Sequence, residues 1–125
     1  MASPPGGTSR IPSGITLHQK SQVLEVSFPD GKTFRLPSEF LRVYSPSAEV
    51  RGHGPGQEVL QSGKRDVQIL AVEPVGSYAV QLRFSDGHDT GIYSWDLLYD
   101  YGTRQDAMWR QYLQKLQDAG ARREP

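Results

Sequence analysis

The chain has 125 residues and a mass of 13.9 kDa, one domain's worth of polypeptide, long enough to bury roughly two thirds of the surface its unfolded form exposes. Fourteen basic residues balance fourteen acidic ones, so the long-range pull of phosphate backbones or anionic lipid is missing, which argues against nucleic acid or a membrane surface as partner. Cysteine is absent, which removes disulfides, thiolate zinc sites, iron–sulfur ligation by this chain and a cysteine nucleophile.

Residues 1–13 are rich in Pro, Gly and Ser with Ile11 as the one buriable side chain. Such a segment does not repay its ordering entropy and reads as a disordered lead. It lacks the apolar stretch of a secretory signal. The longest apolar run, Ile69 to Val72, is far too short to span a bilayer. The expectation is a soluble protein of the cytoplasm.

Strand patterning starts with a candidate edge strand at Ile15 to Gln19. Leu24, Val26 and Phe28 then alternate with Glu25 and Ser27, the period of a half-buried strand. Pro29-Asp30-Gly31 is a turn signal, Phe34 and Leu36 resume the alternation, and Ser38 is placed to cap a short helix carrying Phe40, Leu41 and Val43. A further strand is expected over Asp66 to Val72, joined through EPVGS to one over Tyr78 to Phe84. Here the earlier grammar returns: Val80, Leu82 and Phe84 alternate, Ser85-Asp86-Gly87 turns, Ile92 lies on the return strand, and Ser94 caps a short helix with Trp95, Leu97 and Leu98. FPDGKTFRLPSEFL and FSDGHDTGIYSWDL, 56 residues apart, share Phe, Asp, Gly, Ser and Leu. Either a duplication or the common demands of strand–turn–strand–helix accounts for this.

After Gly102, Thr103 and Asp106 resemble a capping box. It would open a helix over Arg104 to Ala119 with Met108, Trp109, Tyr112, Leu113 and Leu116 on one stripe, stopped by Gly120. The predicted class is α+β: an antiparallel sheet built from two hairpins, each followed by a short helix, with a C-terminal amphipathic helix. The predicted organisation is a lead over 1–13, a domain over 14–102, the helix over 103–120 and a disordered tail over 121–125.

The stretch Ser45 to Gly56, SPSAEVRGHGPG, is dense in glycine and proline. A phosphate cradle fails on spacing, because the position five before Gly63-Lys64 holds Glu58, and the glycines do not follow a buried strand. Catalysis by Ser45 or Ser47 would need a positioned base, and His53 is the sole neighbour in sequence. No nucleophile elbow or HExxH pair occurs. Metal binding has two candidate histidines, His88 between Asp86 and Asp89 and His53 from the loop; the plainer reading makes both ordinary turn and loop residues. Trp95, Leu98 and Tyr99 share a helical face that reads either as core or as a docking patch.

The run LEVSFPDGKTFRLPSEFLRVYSPSAEVRGHGPGQ, followed by a strand pair and DGHDTGIYSWDLLYDYG, resembles the gamma-butyrobetaine hydroxylase-like N-terminal domain over about Gly14 to Gly102. The resemblance implies a small stand-alone bacterial member. Related domains precede the 2-oxoglutarate-dependent oxygenase domain of carnitine-pathway hydroxylases, and others are fused to P-loop ATPases of the iron–sulfur carrier type in plants. In the hydroxylases this domain holds a structural zinc through three cysteines after a Leu-Arg pair and a later histidine. Laid on Leu41-Arg42, those positions are Ser45, Ser47, Val50 and His88, so one ligand of that set is kept here.

Function is therefore expected to be that of a non-enzymatic accessory or interaction module without a cofactor. It would dock an unidentified protein through Arg42, Arg51, His53 and Trp95, with a link to iron–sulfur or redox-enzyme maturation implied by the plant fusion. The alternative is an accessory domain that binds zinc or iron through His88 and His53.

Overall fold

A computed structural model describes residues 11–52, 54 and 56–125; His53 and Pro55, like the first ten residues of the expected lead, lie outside them. β1 (Gly14–His18), β2 (Val23–Ser27) and β3 (Thr33–Pro37) form an antiparallel meander in that order. The period-two pattern of β2 buries Leu24 and Val26, with Leu36 of β3 opposite Leu24. Two short helices follow, α1 (Ser38–Val43) and α2 (Ala48–Arg51). A second antiparallel sheet contains β4 (Ile69–Val75), β5 (Ala79–Phe84) and β6 (Ile92–Ser94), and α3 (Trp95–Ala119) completes the fold. Leu24, Val26 and Leu36 from the first sheet share one core with Ile69, Leu82 and Tyr93 from the second and with Leu98 of α3. The class is α+β, with two three-stranded sheets.

The repeated sequence has a repeated geometry. Phe28 N donates to Lys32 O at 2.9 Å, and Phe84 N to His88 O at 3.0 Å. Gly31 and Gly87 take φ of 93° and 89°, a region open to glycine. Asp30 accepts the Lys32 N–H and Asp86 the His88 N–H through the side chain. The outer carboxylate oxygens then cross over: Asp30 accepts from Tyr99 of α3 at 2.6 Å, while Asp86 accepts from Arg42 of α1 at 2.8 Å. Each turn is fastened to the helix that follows the other.

Three expectations need correction. The chain does not break at Gly102: α3 runs through it, and Thr103 donates to Asp100 O instead of capping a new helix. A Cβ at Gly102 would stand 2.2 Å from Phe34 Cγ, so glycine is there to let a ring lie on the helix backbone. Ser94 caps α3 through Leu97 N, but Ser38 caps nothing; its hydroxyl donates to Gln22. Gln22, at φ 52°, also accepts the Ile69 N–H and so joins the two sheets. Ile92 lies on the return strand β6 as expected; it is exposed there, and its neighbour Tyr93 is the buried member.

The third correction is the tail. Gly63 N donates to Arg122 O and Arg65 N to Arg123 O. The Arg123 guanidinium forks onto Glu39 at 2.9 and 2.7 Å and lies over the Trp109 ring. Gly120, in the left-handed region, ends α3 as expected and turns the chain back toward α1.

Candidate functional site

The loop after α1 is ordered by hydrogen bonds around one histidine. Ser45 Oγ lies 2.7 Å from His88 Nε2 and also accepts the Ser47 N–H at 3.2 Å. Ser47 caps α2 through the Glu49 N–H, and its hydroxyl meets that of Thr90 at 2.6 Å; Thr90 in turn donates to Glu49. Val50 is packed inward, at 6% exposure. Gly91 lies over the pair, since a Cβ there would fall 2.4 Å from Ser45 Oγ. The four positions aligned with zinc ligands in the hydroxylases thus fall into one corner of this fold. The donors there are two hydroxyls already bonded, an aliphatic side chain and one imidazole, and this set does not fit zinc, which takes thiolate, imidazole and carboxylate.

His88 is held neutral by its surroundings. Burial lowers its pKa, with the Arg42 charge acting in the same sense against Glu49 and Asp86. Its Nδ1 is 3.8 Å from a Glu49 carboxylate oxygen. The Ser–His–Glu sequence superficially matches a hydrolytic triad, but Ser45 is 1% exposed and its Oγ already accepts the Ser47 N–H. Asp86 is committed to cations: Arg42 at 2.8 Å and Lys64 at 2.7 Å meet the same oxygen. Among the described residues, no group of three or more His, Cys, Asp or Glu is placed to hold a metal ion.

Beside this corner opens a cleft of about 760 Å³ between α2, residues 58–61 and α3. Val43 and Val50 supply an apolar floor, and Val59 and Leu60 an exposed apolar wall. Tyr101 and Tyr112 stand at the α3 side with their hydroxyls donated to Tyr44 O and Gln61 O. Burial raises both phenols, that of Tyr112 to about 12. Arg51 and Lys115 bring two cations and Glu58 one carboxylate. Arg51 reaches Tyr101 Oη at 3.4 Å; neither cation has a carboxylate within ion-pair distance among the described residues.

The expected contact residues fare differently. Arg51 is exposed on the cleft. Arg42 is 6% exposed and committed to Asp86, with Nη1 finding no acceptor among the described residues. Trp95 is core, its indole N–H donated to Ser77 O. His53 lies outside the described residues, and His88 is buried. Sequence reasoning missed Lys115, which carries no local signal, and Tyr101, which it assigned to no face; it placed Tyr112 on the apolar stripe of the C-terminal helix but not at a cleft.

A family model described as gamma-butyrobetaine hydroxylase-like, N-terminal, matches residues 15–99. The chain belongs to that family. Two solution NMR structures are similar to it, each at 50% identity: one covers 94% of this chain and 93% of its own with a TM-score of 0.82, the other 100% and 92% with 0.80. A 1.93 Å crystal structure of a protein of unknown function of the DUF971 family, from Acidithiobacillus ferrooxidans ATCC 23270, is 44% identical over 71% of this chain and 89% of its own, with a TM-score of 0.60. No curated protein matches the chain. Among the described residues no helix of this family member is long and apolar enough to cross a membrane.

Proposed function

We propose that the protein is a non-enzymatic interaction module of the cytoplasm that seats a segment of a partner protein in the cleft between α2 and α3. The observation that carries this reading is the pairing of an apolar floor with two cations, Arg51 and Lys115, that have no carboxylate partner among the described residues. Exposed Val59 and Leu60 make one wall of the cleft apolar. A partner that covered them would gain about 25 cal/mol for each Å² removed from water. The reactive-looking groups, Ser45 and His88, are buried and bonded to one another, which favours binding over catalysis. A connection to iron–sulfur or redox-enzyme maturation rests on the family resemblance alone.

The test is affinity capture with the tagged full chain and with the double variant Arg51→Glu, Lys115→Glu, both checked for an unchanged melting temperature. The expected result is a partner recovered in stoichiometric amount with the parent and lost with the variant. Recovery of the same partner by both would remove the cleft from the interface.

A further inference from the structure

We propose that the cleft takes the C-terminal end of its partner chain, the last apolar side chain on the Val43–Val50 floor and the free carboxylate toward Arg51 and Lys115. This inference rests on the docking reading above and narrows it to one kind of segment.

The argument starts from the hydrogen-bond inventory of the walls. Tyr101 and Tyr112 have already given their hydroxyl protons to backbone carbonyls, and the Val59 N–H is spent on Val50 O. Glu58 accepts from Gly56 N. Among the charged side chains of the described lining, what remains unmatched is the donor capacity of a guanidinium and an ammonium, so the cleft favours an acceptor of negative charge. Among the described residues, two cations and one carboxylate leave one positive charge, the complement of a single carboxylate.

Geometry then favours a chain end over an internal acidic residue. Floor and cations belong to the same cleft, so the ligand must present an apolar group and a carboxylate close together. Along an extended segment, neighbouring side chains point to opposite faces, so an apolar residue and an Asp or Glu share a face only two residues apart, with Cα atoms about 7 Å from each other. At a C-terminus the side chain and the carboxylate leave the same Cα. Capture of a terminal carboxylate is a recurring mode of peptide recognition, and the volume is within the range of specific ligand sites, about 300–1,000 Å³.

The experiment is an amide-resolved NMR titration of the ¹⁵N-labelled full chain with pools of N-acetylated pentapeptides ending in Leu, Val or Phe. Each pool is run as the free acid and as its C-terminal amide. The free acids are expected to shift the amides of Arg51, Val59, Leu60 and Lys115 saturably, with the amidated twins weaker by roughly tenfold or more, the size of a charge-assisted hydrogen bond. Arg51→Gln with Lys115→Gln is expected to erase that preference while leaving the spectrum of the core unchanged. Equal binding by acids and amides would overturn the terminal-carboxylate inference and leave the docking reading standing. Saturable shifts confined to other surfaces, or none with any pool, would also overturn it, while the capture experiment decides docking independently.

Discussion

Ser45 Oγ and His88 Nε2 are 2.7 Å apart, and both side chains are buried. The bond joins the loop after α1 to the turn after β5, across 43 residues of sequence. Removing the ring leaves a void and takes from the Ser45 hydroxyl its shorter hydrogen bond, so His88→Ala is expected to cost about 2–4 kcal/mol in urea unfolding. The pH dependence has a definite sign. Burial lowers the folded-state pKa of His88 from 6.5, so below that value the unfolded chain takes up a proton that the folded one refuses. This contribution to stability is complete above pH 6.5 and is lost as the pH falls below it. His88→Gln should flatten the slope there; an unchanged slope would place its origin elsewhere.

Asp86 titrates in a lower window. Burial disfavours its charge, but hydrogen bonds from Lys64, Arg42 and the His88 N–H outweigh burial and hold the carboxyl at about 2, against an ordinary 3.8. Its contribution, about 2 kcal/mol, is present above pH 3.8 and disappears as the pH falls toward 2. Asp86→Asn strands the buried Arg42 guanidinium without an anion, and a loss of about 3–5 kcal/mol is expected. Lys64→Met should cost far less, about 1 kcal/mol. Equal losses for the two variants would mean that Arg42 has found another anion.

Gly102→Ala sets two effects of opposite sign against each other. Alanine improves helix propensity by about 1 kcal/mol, yet its methyl would overlap the Phe34 ring, packed edge-on against Tyr99 at 5.3 Å. Overpacking of this kind costs about 1–3 kcal/mol, so a net loss is expected from thermal unfolding. In a Phe34→Ala background the ring is gone, and the same substitution should become stabilising. A reversal of sign between the two backgrounds is the measurement that decides.

Arg123→Ala tests the tail. It removes a two-pronged bond to Glu39, whose side chain is 8% exposed, and the stacking over Trp109. A loss of about 1–3 kcal/mol is expected. Glu39→Gln combined with Arg123→Ala should recover part of it, because no buried charge is then left alone. A melting temperature unaffected by Arg123→Ala would mean that the Arg123 side chain contributes nothing to stability.

Period-two alternation located β2 and β5 because one face of each strand is buried and the other is not, and this is a property of adjacent residues. Gly102 shows where such reasoning stops. A missing side chain was read as a break, whereas its cause is Phe34, delivered from another hairpin by the fold. Arg42 was expected on the surface for a parallel reason: an arginine becomes a core residue only when a carboxylate such as Asp86 meets it, and that meeting is not written near Arg42. The family comparison did better at the loop. It grouped Ser45, Ser47, Val50 and His88 as one set, and the fold brings them to one corner with hydrogen bonds and packing in place of ligands. The cleft was half legible, since Arg51 was singled out and Lys115 has nothing in its neighbourhood to mark it.

The crossed fastening of the two turns bears on how the chain is made. Asp30 waits for Tyr99, 69 residues further on, and Arg42 for Asp86, 44 further on. During synthesis, therefore, the first meander emerges with both of its anchors still inside or behind the ribosome. Neither half finds its clasp within its own sequence. Folding of the first half alone is starved of these contacts, and the two halves are bound to lock together late, when α3 has cleared the exit. Cutting the chain between the repeats would give fragments that each carry half of two fasteners, able to close them by associating with one another.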